Sequence, residues 1–163
     1  MKGTRHNGRS GKDGVYNPLH NDRRFDPKHS EHIDSERIRQ NIYWDCYQGY
    51  TTMEDRGKED NFSFSQIEMA YYSEHYSDYV INQNKRHEKA RHPDRCKGVE
   101  EILKNKKTCP EESIYQLGTI DEHASVETLI RVFDEFKKEF DERFGSNVHI
   151  IDWSLHMDES TPH

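Results

Sequence analysis

Eight residues, His156-Met157-Asp158-Glu159-Ser160-Thr161-Pro162-His163, carry two imidazoles and two carboxylates with a turn built between them. Ahead of them, Asn147 to His156 alternates as a strand does: Ile150, Asp152, Ser154 and His156 fall on one face, and Ile151, Trp153 and Leu155 on the other. His156 then closes a strand and Asp158 to Thr161 are turn formers. Pro162 cannot continue a central strand, so His163 opens the next strand of a hairpin. Such a hairpin brings two strand ends together with a mixed imidazole and carboxylate donor set, which suits a divalent ion such as Mn²⁺, Mg²⁺ or Zn²⁺. The plainer alternative is a pair of ordinary polar histidines at a hairpin mouth. Cys46, Cys96 and Cys109 are odd in number and form no Cys-x-x-Cys, so neither a thiolate zinc site nor a disulfide framework is expected.

Upstream of this strand the pattern changes period. Ser125 caps a helix in which Val126, Leu129, Ile130, Phe133, Phe136, Phe140 and Phe144 recur at three and four, and Gly145 ends it. Its phenylalanines read as core. Ser113 to Ile120 reads as a strand, so a strand, helix, strand order lets one amphipathic helix cover a sheet face. Ser63 and Gln66 form a capping box, opening a helix with Phe64, Ile67, Tyr71 and Tyr79 that runs toward Asn82. Lys85 to Lys97, basic and containing Pro93, reads as a loop, and Val99 to Lys104 as a short helix. Residues 1–14 read as a flexible basic arm, with a strand from Val15 left open, and 15–163 as one domain. With 31% hydrophobic and 34% charged residues, the chain lies at the polar edge of what buries a core. No run is long and apolar enough for a membrane span, and no secretory leader is legible.

The net charge of −7 is unevenly distributed. Residues 1–39 are net +3 and 84–107 net +5, whereas 40–83 are net −6 and 108–163 net −9. Such segregation allows a positive groove on an acidic body, and local phosphate contacts govern DNA affinity. Solvated charged faces are the plainer alternative.

The early sequence His20-Asn21-Asp22-Arg23-Arg24-Phe25, the later His32-Ile33-Asp34-Ser35-Glu36-Arg37 and Asn41-Ile42-Tyr43, and the terminal His-x-Asp-Glu-Ser-Thr-Pro-His together resemble the MobV group of plasmid mobilisation relaxases, also called Mob/Pre or plasmid recombination enzymes. The match is tight at both ends and loose from about Asp45 to Ser113. The resemblance implies an α+β relaxase-like fold, an antiparallel sheet carrying the metal site with helices packed on one face. It implies His20 as nucleophile and His156, Glu159 and His163 as ligands of Mn²⁺ or Mg²⁺, with Asp158 in support. In the family the last motif continues His-x-His. The second His lies beyond His163, so a relaxase domain incomplete after the hairpin turn is the expectation.

A divalent ion on a phosphate acts as a Lewis acid, and neutral imidazole can attack phosphorus to give a covalent phosphoramidate. Tyr43 and Tyr47 lie close downstream of His20, which leaves a tyrosine nucleophile open. Arg23, Arg24, Arg37 and Arg39 are candidate phosphate contacts, Asn21 and Asn41 can orient the nucleophile or read a base edge, and Tyr43 can stack on an unpaired base. For Trp44 core packing is the better reading. The implied activity is strand-specific nicking and rejoining of plasmid or mobile-element DNA at an origin of transfer, in conjugation and recombination in a bacterial cytoplasm. A hydrolytic metal-dependent nuclease and a non-catalytic DNA-binding fragment are the alternatives.

Overall fold

The computed structural model describes residues 3–8, 16–24, 33–58, 60–117 and 124–159. It is α+β, with two antiparallel sheets. Strand β1 (Gly3–Gly8) pairs with β4 (Glu112–Leu117), and β2 (Ile42–Asp45) lies between β3 (Gly49–Thr52) and β5 (Asp152–Leu155). Among the described residues five α-helices complete the order: α1 (Pro18–Asn21), α2 (Met53–Arg56), α3 (Phe64–Lys89), α4 (Val99–Leu103) and α5 (Val126–Phe144). None of the described helices is long and apolar enough to cross a membrane.

The three-stranded sheet takes its sidedness from alternation. Trp44 stands directly opposite Trp153 and Asp45 opposite Asp152. The tryptophan face turns to α5, where the Phe133 ring lies 4.0 Å from that of Trp153, and Leu129 packs with Leu155 and Met157. The other face carries Tyr43 against Phe64 of α3. The alternation read in the sequence therefore holds, but only Asp152–Leu155 is strand; residues 147–150 lead into it without regular pairing, and the Ile151 carbonyl accepts from the Cys46 N–H. Trp44 packs with its half-buried neighbours as anticipated.

Helix α3 begins at the capping box: Ser63 accepts from the Gln66 N–H, and Gln66 Oε1 accepts from the Ser63 N–H. Its buried residues Phe64, Ile67, Glu68, Tyr71 and Tyr72 share one face, and Tyr71 and Tyr72 join Leu103 of α4 in a second core. The helix runs to Lys89, so the first part of the 85–97 stretch is helical rather than looped; Pro93 instead starts a 3-10 turn, where its missing N–H costs nothing. Gly3–Gly8 form a strand on β4, which corrects the reading of 1–14 as an arm over those residues. Residues 9–15 lie outside the described ones.

Helix α5 starts at Ser125 and ends at Gly145, as its spacing predicts. Gly145 keeps right-handed backbone, φ −59°; glycine suits it because a Cβ would sit 2.5 Å from the Asp141 carbonyl oxygen. The expected phenylalanine core is found only in part: Phe133 packs against Trp44 and Trp153, and Phe140 is half-buried. Leu129 alone of the α5 residues is buried, while Phe136 and Phe144 are 41% and 50% exposed. Periodicity shows which face of a helix is apolar; it cannot show whether anything covers it.

Candidate metal centre

Residues 17–24 build one wall of the site. Asn17 caps α1 by accepting from the His20 N–H, and Pro18 supplies the first helical φ. The following turn ends at Arg23, whose φ of 53° is in the left-handed region that an unbranched non-glycine residue rarely adopts. Its side chain explains why that backbone persists. Nε and Nη2 donate to the two Asp158 carboxylate oxygens at 2.8 and 2.9 Å, Nη2 also donates to Glu159 Oε1 at 2.6 Å, and Nη1 donates to the His20 carbonyl at 2.8 Å. Both side chains of the Arg23–Asp158 pair are essentially inaccessible. Burial works against the charged Asp158 carboxylate, but the Arg23 hydrogen bonds and charge hold it below the usual carboxylate range.

Asp22 anchors this wall to α3. Its carboxylate accepts from the Phe64 N–H at 3.1 Å, at the positive end of the helix, and pairs with buried Arg56. The Arg56 guanidinium lies over both the Tyr43 and Phe64 rings, 4.7 and 4.4 Å from their centroids. Sequence reading missed Arg56 and Asp22; a lone arginine in a short helix carries no local signal of burial.

The opposite wall is the segment following β5. Buried Asn41 accepts from the Met157 N–H at 2.8 Å, the Asp158 carbonyl accepts from the Asp34 N–H at 2.7 Å, and Ile33 bridges Glu159. These contacts aim His156 and Glu159 at His20. Glu159 Oε1 lies 3.3 Å from His20 Nε2 and 3.4 Å from His156 Nδ1, and the three donor atoms lie within 4.8 Å of one another. The His20 side chain remains 32% exposed, whereas that of His156 is 3%.

The state of His156 follows from its other nitrogen. Nε2 is 3.0 Å from the Asn21 carbonyl oxygen, which can only accept, so Nε2 carries the proton and Nδ1 the lone pair of the neutral ring. Burial pushes the His156 pKa below its ordinary value, which favours that neutral form. The lone pair thus faces a carboxylate oxygen, an arrangement that a shared cation or proton relieves. A backbone carbonyl on the distal nitrogen is also the usual means of orienting a metal-binding imidazole. Donors about 2.0–2.2 Å from a tetrahedral ion stand about 3.3–3.6 Å apart, so the 3.3 and 3.4 Å separations fit a small divalent ion.

Of the anticipated residues, His20, His156 and Glu159 therefore come together. Asp158 is adjacent but holds Arg23. His163 lies outside the described residues. The DNA-contact expectations are corrected in three places. Arg23 is buried in ion pairs and has no face for a phosphate; Asn41 has no exposed surface and spends its amide oxygen on Met157; Tyr43 is fully buried and cannot stack on a base. Burial also pushes the Tyr43 phenol up to about 12, against a tyrosine nucleophile there, and the Tyr47 hydroxyl is given to Glu74 at 2.7 Å. Arg24 is 43% exposed in its side chain and leans on Asp22, Arg39 is exposed, Arg37 is half-buried, and Asn21 lends its carbonyl to His156. Compared with models of protein families, with curated proteins and with solved structures, the chain matches none.

Proposed function

We propose that the protein binds plasmid or mobile-element DNA and, with a divalent ion held by His156 and Glu159, nicks and rejoins one strand at an origin of transfer through a covalent protein–DNA intermediate. The observation that supports this reading is the convergence of His20 with His156 and Glu159, residues from opposite ends of the sequence. Bound there, the ion polarises the scissile phosphate and offsets charge on its non-bridging oxygens.

The chain's own residues supply the rest. With its Nε2 beside Glu159 Oε1 and its side chain 32% exposed, His20 can be reached by DNA, and Nδ1 is the ring nitrogen that would attack. Attack forms an N–P bond while the P–O3′ bond breaks, the electron pair leaving on the 3′ oxygen, which takes up a proton. The imidazole proton facing Glu159 can be released to that carboxylate. Reversal by the same 3′ hydroxyl rejoins the strand. Arg24, Arg37 and Arg39 remain the candidate phosphate contacts, with Asn21 beside the nucleophile. A bacterial cytoplasm is the compartment this reading implies.

A second reading is favoured by the tight spacing of all three donor atoms: His20 is a third ligand, and a water hydrolyses the phosphodiester without an adduct. The test is incubation with a labelled single-stranded origin oligonucleotide and Mn²⁺, comparing the native protein with His20→Ala on a denaturing gel. An acid-labile protein–DNA band that disappears in the variant supports the relaxase reading. Cleavage without a band moves the assignment to hydrolysis, and retention of the oligonucleotide without cleavage moves it to a DNA-binding role.

A further inference from the structure

Between the two sheets runs a cavity of about 1740 Å³, bounded by β4 and β5 at its sides and by α3 and α5 above and below. Its walls are sheet edges. The Cys46 N–H donates to the Ile151 carbonyl, so the hydrogen-bonded rungs of β2 and β5 are 151, 153 and 155; the N–H and C=O of Asp152 and Ser154 point away from β2. Among the described residues no strand pairs with that side of β5. Above it, α5 presents Phe133, Phe136 and Phe140, an apolar stripe in which Phe136 is exposed and the other two are half-buried.

The floor has the opposite character. Asp152 lines the gap with Glu68 of α3 and Glu112 of β4, which are close enough to act on it electrostatically; behind it, outside the lining, stand Asp45, directly opposite on β2, and Arg56, a cation that acts on it in return. The inner oxygens of Asp45 and Asp152 are buried without a hydrogen-bond donor, and among the described residues neither carboxylate forms an ion pair. Glu68 accepts from the Tyr16 hydroxyl and Glu112 from the Asn17 N–H, and burial pushes the Glu68 carboxyl up to about 7, so a cation placed beside it favours the ionised form. Unpartnered sheet edges bind extended chains, and buried carboxylates attract a cation.

We propose that this gap is a strand-docking site for an extended segment of a partner polypeptide, apolar on the side facing α5 and basic on the side facing α3. Main-chain hydrogen bonds to Asp152 and Ser154 supply affinity, and the carboxylates select the basic face. This inference does not depend on the proposed DNA chemistry.

The test uses fluorescently labelled peptides of four Lys-Val repeats and four Glu-Val repeats, titrated with the whole chain at physiological salt and read by anisotropy. The Lys-Val peptide is expected to bind saturably and at least about fivefold more tightly. Asp152→Asn should erase most of that preference, and Phe136→Gln, at an exposed position, should weaken both peptides; thermal unfolding verifies that each variant folds. Equal affinity for the two peptides, no binding at millimolar peptide, or self-association that excludes the peptides overturns the proposal, the last by assigning the gap to a second copy of the chain.

Discussion

Arg23 joins the two walls of the candidate centre. Removing a partner from a buried ion pair leaves the other charge stranded, so Arg23→Ala should destabilise the fold by about 3–5 kcal/mol in urea denaturation. Arg23→Lys should fall between, because an ammonium cannot reproduce the two-pronged contact with Asp158. A loss within about 0.5 kcal/mol for the alanine variant would show that the pair contributes little. At the cluster itself, Glu159→Gln and His156→Ala should each weaken Mn²⁺ or Zn²⁺ binding at least about tenfold by titration calorimetry. Unchanged affinity would place the ion elsewhere.

The strands and helices around the site depend on a few backbone positions. Gly49 starts β3 with φ +73° after the turn in which Asp45 accepts from the Tyr47 and Gln48 N–H groups. Gly49→Ala should cost about 1–2 kcal/mol although nothing crowds its Cβ, because the penalty is conformational. Full stability in the alanine variant would mean that the turn has relaxed. Gly145 is the reverse case: its backbone is ordinary and its surroundings forbid a Cβ. One residue type thus bounds two elements, the start of β3 and the end of α5, for different reasons, which the sequence alone does not distinguish.

Across the whole molecule, the buried acids between α3 and the sheet govern pH dependence. Burial raises Glu68 above its ordinary value, to about 7, and raises Asp152 as well. Between about pH 4.5 and 7 the folded state therefore binds more protons than the unfolded one, and this contribution to stability is present at low pH and lost as pH rises. His156 has the opposite sign: its depressed pKa lets the unfolded chain take up a proton first, so stability falls as pH drops below about 6.5. Glu68→Gln isolates the first effect. It should stabilise the protein at pH 8 by on the order of 3 kcal/mol and by little at pH 4.5, measured by urea denaturation across that range. A pH-independent difference would show that Glu68 ionises normally.

Locally specified features were legible in advance: the Ser63 and Ser125 caps, the α3 and α5 periods, the alternation through Asp152–Leu155 and the donor-rich segment after it. These depend on neighbours within a few residues, where spacing and hydrogen-bonding groups act directly. Tertiary packing decided the rest. It buried Tyr43, Asn41 and Arg23 beneath the site, where spacing alone suggested contacts with DNA. It separated β4 from β5 into different sheets and left the α5 phenylalanines over a gap. It also brought His20 to His156 and Glu159, since burial, ion pairing and convergence depend on which distant surfaces meet.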